Sequence, residues 1–127
     1  MKRERVRVPR PPYRIFEHTA DLGVEIYGTD ERNLFRNAAL ALSEIMTDRR
    51  RVKGKEIREL VVEGRDREEL LVNFLGEVLS LYNSEGWLLQ ECEVTVMDDC
   101  YLRATAVGEP FAQGRHSVDI EIKAVTY

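Results

Sequence analysis

The sequence predicts an α+β fold: a single domain in which two amphipathic helices pack on a largely antiparallel sheet of five to six strands. Three observations predict it. Two segments repeat apolar residues at helical spacing and begin with capping residues. The other apolar segments are rich in β-branched and aromatic residues that alternate roughly every second position. The 127-residue chain is long enough for one core and too short for two.

In chain order the elements read β-β-α-β-α-β-β-β. Tyr13 to His18 and Leu22 to Tyr27 read as two short strands, or one strand bent at Thr19 to Asp21. Gly28 breaks the pattern, and Thr29 or Asp30 can cap a helix from about Glu31 to Met46, where Leu34, Ala38, Ala41, Leu42 and Ile45 recur at helical spacing. A charged connection, Thr47 to Lys55, leads to an extended segment, Ile57 to Val62, that ends at Gly64. Asp66, with Glu69 three residues on, opens a second helix whose stripe runs from Leu70 through Phe74 and Val78 to Tyr82, and Gly86 stops it. Trp87 to Met97, Tyr101 to Val107 and Val118 to Thr126 read as strands, with Gly108-Glu109-Pro110 and Gln113-Gly114 as punctuation. Helices that are apolar on one side need a partner, and a sheet covers both.

The composition is that of a folded, soluble protein, since both signs of charge are spread along a chain with ample apolar residues. Net charge is −4, yet six basic residues lie between Met1 and Arg14 (Lys2, Arg3, Arg5, Arg7, Arg10 and Arg14), beside a Pro9, Pro11, Pro12 cluster. Residues 1–12 are therefore expected to be a flexible basic arm on a domain spanning 13–127. A protein that binds RNA on its own usually carries a basic face or aromatic stacking platforms, and the body of this domain is acidic. No apolar run approaches the roughly 20 residues of a membrane span, and no signal peptide is evident. Cys92 and Cys100 flank the expected turn Met97-Asp98-Asp99 and could face one another across two strands; free thiols in a reducing cytoplasm are the expectation.

Chemistry is sparse. His18, Thr19 and Asp21 share a tight corner, and Lys123 and Thr126 interrupt the apolar pattern of the last strand. Each has a structural explanation: a histidine beside a turn is commonly a satisfied structural residue, an aspartate after a corner commonly caps it, and a strand lysine commonly faces water. No nucleophile with its base, zinc spacing, GxGxxG or Walker loop is present. Asp21 with further oxygens could hold a hard cation, calcium or magnesium.

Phe16-Glu17-His18-Thr19-Ala20-Asp21, then Gly23, the Gly28 turn, Leu34-Phe35 and Ala38-Ala39, resembles the opening of the archease family. Leu70-Leu71, Phe74-Leu75 and Glu77 are similar to its second helix, and Gly108-Glu109, His116 and Ile122-Lys123-Ala124-Val125-Thr126-Tyr127 to its closing strands. The resemblance covers about Tyr13 to Tyr127.

It implies an accessory protein rather than a stand-alone enzyme. Its partner would be an RtcB-type RNA ligase, which joins tRNA exon halves; the accessory protein promotes GTP-dependent guanylylation of that ligase and its repeated turnover. The resemblance further implies that Asp21 is a metal-ligand carboxylate, for a divalent ion and calcium first. Lys123 would be its charged partner in ligase activation, with His18 and Thr126 close by. In the family the KAVTY-type segment is followed by a histidine and a strand ending in a further aspartate ligand. Since the sequence stops at Tyr127, that ligand is expected beyond it. The competing readings are a general chaperone or protein-interaction module without a nucleotide role, and a hydrolase using Asp21 and His18.

Overall fold

The computed structural model describes residues 11–18, 21–118, 122 and 125, with side chains described at these positions except 17, 18 and 21–23. Five strands and two α-helices occur among them: β1 (Tyr13–His18), β2 (Asp21–Ile26), α1 (Glu31–Met46), β3 (Glu56–Glu63), α2 (Arg67–Glu85), β4 (Trp87–Met97) and β5 (Tyr101–Pro110).

Both helices start where the capping pattern places them. The Asp30 side chain accepts from the Asn33 amide at 2.8 Å, and Asp66 accepts from the Glu69 amide at 2.8 Å, each satisfying a donor the first turn leaves without a partner. α2 ends at Gly86, whose φ of 66° lets its N–H reach back to the Leu81 and Tyr82 carbonyls; a side chain would strain that left-handed cap.

Among the described residues the expected single sheet is instead two. β1 and β2 form an antiparallel hairpin, and a separate three-stranded sheet has the order β3-β5-β4. β3 and β4 both run antiparallel to β5 and hence parallel to each other, with α2 as the crossover. The division has a physical cause at β4. Its Leu89, Gln90 and Thr95 carbonyls accept from the side chains of Ser43 (2.6 Å), Arg49 (2.8 Å) and Arg32 (3.1 Å), so α1 and the turn after it occupy the edge where another strand would add. The hairpin packs on α1 instead. That helix is buried on nearly all sides, at Phe35, Ala38, Ala39, Leu40, Ala41 and Leu42, and its alanines permit close approach.

The core lies between the helices and one face of the three-stranded sheet. Phe35 and Phe74 stack across α1 and α2 with ring centroids 6.1 Å apart, over Leu102, Ala104 and Ala106 of β5, all fully buried. The opposite face of the sheet leaves Ile57 and Val61 in solvent.

β5 runs to Pro110, past the expected end at Val107, and Gly108 explains the extension. A Cβ there would collide with the Leu88 carbonyl oxygen and meet the Trp87 ring, so only a glycine lets β4 lie alongside at this point. The cysteines do not face one another: buried Cys92 pairs with Ala106, while Cys100 is exposed, and both are free. Of the expected last strand, Val118 forms an isolated antiparallel bridge with Thr47; Asp119, Ile120, Glu121, Lys123, Ala124, Thr126 and Tyr127 lie outside the described residues, as does the arm up to residue 10. No helix among the described residues is long and apolar enough to cross a membrane.

Candidate functional site

The corner expected at Thr19 to Asp21 is the end of the β1–β2 hairpin. Strand pairing runs in register from Tyr13↔Ile26 to His18↔Asp21, so His18 and Asp21 are brought together as the last backbone pair, with Thr19 and Ala20 outside the described residues. The other end of the hairpin is tied down. Tyr27 N–H donates to the Pro12 carbonyl at 3.0 Å, and the Asn37 amide of α1 donates to the Tyr27 carbonyl at 2.6 Å. Tyr13 packs against the core. Burial, and then the Glu44 carboxylate, push its phenol pKa up against the opposing charge and hydrogen bond of Arg49.

Lys123 and Thr126 lie outside the described residues, and so does their expected meeting with Asp21 in one polar cleft. Their neighbours are placed. The Ile122 carbonyl accepts from Asn83 of α2 at 3.3 Å, and Ile122 and Val125 are partly buried against the core. Upstream, the Thr47 hydroxyl donates to the Ser117 carbonyl at 2.7 Å, beside the Thr47–Val118 bridge. Among the described residues, Ser117 and Val118 therefore lie by the end of α1 and Ile122 by α2.

Calcium takes six to eight oxygen ligands. Among the described residues no group of three or more His, Cys, Asp or Glu side chains is placed to hold a metal ion. The Asp21 side chain is outside that set.

The most organised polar cluster is one that sequence reasoning did not single out as a site. Glu109, the last residue but one of β5, has 1% of its surface exposed. Its Oε2 accepts from the Lys53 backbone N–H at 2.7 Å and from His116 Nε2 at 3.0 Å. Its Oε1 accepts from the Arg115 guanidinium at 2.6 Å, with the Lys55 ammonium 3.8 Å away. The histidine's tautomer follows from its other nitrogen: Nδ1 accepts from the Ala112 N–H at 2.9 Å, so in the neutral ring the proton sits on Nε2 and points at Glu109. Burial pushes the Glu109 pKa up, but the Lys53 amide, His116 and Arg115 outweigh it and hold the carboxyl below its ordinary value. One carboxylate thus clasps the 49–55 connection to the 111–118 loop. The available signal was a glutamate near the end of a strand, directly after the apolar run Ala106-Val107-Gly108, with a histidine seven residues on.

A family model described as the Archease protein family (MTH1598/TM1083) matches residues 13–127. Protein archease of Sulfurisphaera tokodaii is 38% identical over 116 residues, covering 91% of this chain and 84% of the relative. The Pyrococcus abyssi protein of the same name is 39% identical over 115 residues, covering 88% and 81%. The solution structure of protein 1598 of Methanobacterium thermoautotrophicum superposes with a TM-score of 0.73 at 36% identity, covering 91% of this chain and 84% of that one. Since the family match takes in every element from β1 to β5 and the segment beyond it, this chain belongs to the archease family.

Proposed function

We propose that this protein is an accessory factor of an RtcB-type RNA ligase in cytoplasmic tRNA splicing, promoting GTP-dependent guanylylation of the ligase and its repeated turnover without being the catalyst itself. The observation that carries the reading is archease membership over residues 13–127, a span that includes both Asp21 and Lys123. In this reading Asp21 presents a carboxylate from the far end of the hairpin, opposite His18. It is a ligand for a divalent ion, calcium in the first instance. When bound, the ion supplies positive charge where phosphate charge accumulates during guanylylation. Lys123 follows Ile122, whose carbonyl is held by Asn83, and adds an ammonium that pairs with phosphate, ligase or the acidic site. His18 and Thr126 are the supporting residues of these two groups in the same reading.

Asn37 of α1 holds the Tyr27 end of the hairpin, and Thr47 holds the Ser117 carbonyl. Such anchors suit a factor that acts by presenting charge in a fixed arrangement. The test is ligation with an RtcB-type ligase held limiting over RNA ends, GTP and divalent metal. Product per ligase should rise on adding this protein; no rise at any ratio sinks the proposal. Suppressed aggregation of unrelated proteins, without effect on the ligase, would favour the chaperone reading instead.

A further inference from the structure

The connection from α1 to β3 packs five cations into seven residues, Arg49-Arg50-Arg51-Val52-Lys53-Gly54-Lys55, in a chain of net charge −4. As sequence it is an ordinary solvated charge run. In the fold it is a fixed ridge. Arg49–Arg51 form a short 3₁₀ turn, and the Asp48 side chain accepts from the Arg50 amide. Val52 is turned into the core with 3% exposure, and buried Glu109 grips the Lys53 amide. A carboxylate taken fully out of water is a costly way to hold a loop, and here it fixes the backbone between two exposed cations.

Part of the charge on the ridge is paired, Arg50 with Asp48 and Lys55 and Arg115 with the one carboxylate of Glu109; Arg51 and Lys53 are what is left over. Glu44 accepts from the Arg49 amide, Asp48 from Arg50, Glu56 from the Trp87 indole, and Glu109 from the groups already described. The side chains of Arg51 and Lys53 are exposed and make no hydrogen bond or ion pair with any described residue. Arg115 joins the ridge through Glu109. Two residues after Glu109, the Phe111 ring is 40% exposed and 6.0 Å from the ring of His116, itself bonded to Glu109. Protein-binding surfaces are generally centred on a desolvated apolar core. The only large apolar side chain within the ridge faces inward, and what remains outward is cationic with an aromatic face alongside. Cations that follow a backbone, beside a ring on which a base can stack, are the chemistry of single-stranded nucleic acid binding.

We propose that the Arg51–Lys55 ridge, with Arg115 and Phe111, is a docking surface for single-stranded RNA. The test is fluorescence anisotropy of a labelled single-stranded RNA of mixed sequence, titrated with the full chain at several salt concentrations, alongside Arg51→Gln/Lys53→Gln and Phe111→Ala. No ligase is present, so the outcome is independent of the ligase-activation reading. Each phosphate contact on a single strand contributes about 0.7 to the slope of log affinity against log salt. The double variant should therefore lose roughly 1.4 of slope and bind several-fold more weakly at low salt, with its melting temperature unchanged. Phe111→Ala should weaken binding while keeping the slope. Binding unchanged by the double variant overturns the proposal, as does the absence of salt-dependent binding. Equal affinity for an acidic polypeptide such as polyglutamate also overturns it, and would assign the ridge to an acidic protein surface.

Discussion

Replacing Glu109 by glutamine changes a single atom's chemistry inside the polar clasp, and its cost can be worked from the geometry. Both carboxylate oxygens face donors: Oε2 faces the Lys53 N–H and His116 Nε2, and Oε1 faces Arg115 with Lys55 beyond. Whichever way the amide is turned, its NH₂ meets a donor. The histidine cannot relieve the clash by changing tautomer, because Nδ1 must stay an acceptor for the Ala112 N–H. Hydrogen bonds to charged groups contribute about 1.5–3 kcal/mol each, and breaking a buried pair costs about 3–5 kcal/mol. Glutamine keeps the shape and one acceptor and escapes the burial of a charge, so we expect a loss of about 3 kcal/mol. For a domain of this size that lowers Tm by about 10 °C. Urea denaturation at pH 7 and calorimetric melting give both numbers. A variant within about 2 °C of the wild type would refute the derivation, since it would mean the clasp contributes nothing net.

Other predictions follow from particular contacts. The folded pKa of Glu109 is depressed, so its contribution is complete above the unfolded value of about 4.3 and disappears as pH falls through the lower folded value. The wild-type advantage over Glu109→Gln should accordingly narrow below about pH 4 in melting curves, and a constant difference would contradict the sign. Burial, and then Glu91, push the Cys92 thiol up to about 12, whereas Cys100 is exposed. A thiol reagent should titrate one group in the native protein and two in denaturant. Gly108→Ala forces a methyl against the Leu88 backbone and should destabilise by about 2 kcal/mol or more in urea titrations.

Much of the architecture could be read locally, because caps and stops are local chemistry. Asp30, Asp66 and Gly86 bound the two helices where the pattern places them. Which strands share a sheet is a different kind of fact. The β1–β2 hairpin and the three-stranded sheet are separated by side chains of α1 and its following turn reaching β4 carbonyls, and no strand propensity encodes that. Gly108-Glu109-Pro110 reads as punctuation because glycine and proline usually end strands. Here the glycine lets β4 approach, and the glutamate is stabilised by an amide 56 residues away. Of the candidate site, the corner was legible as a break between two apolar runs, and the hairpin ends there on the His18↔Asp21 backbone pair; Lys123 and Thr126 lie outside the described residues. Glu109 was legible only as part of a family pattern, since its role depends on partners from two distant loops.

The most direct test of the proposed function is the turnover of an RtcB-type ligase, with GTP and divalent metal, in the presence of the wild-type protein, Asp21→Ala or Lys123→Ala, each first shown to be folded by its melting temperature. The wild type should carry the ligase through repeated cycles, and either substitution should return it to the unassisted rate. Full activation by both folded variants would contradict the assignment of Asp21 and Lys123 as the groups that act on the ligase.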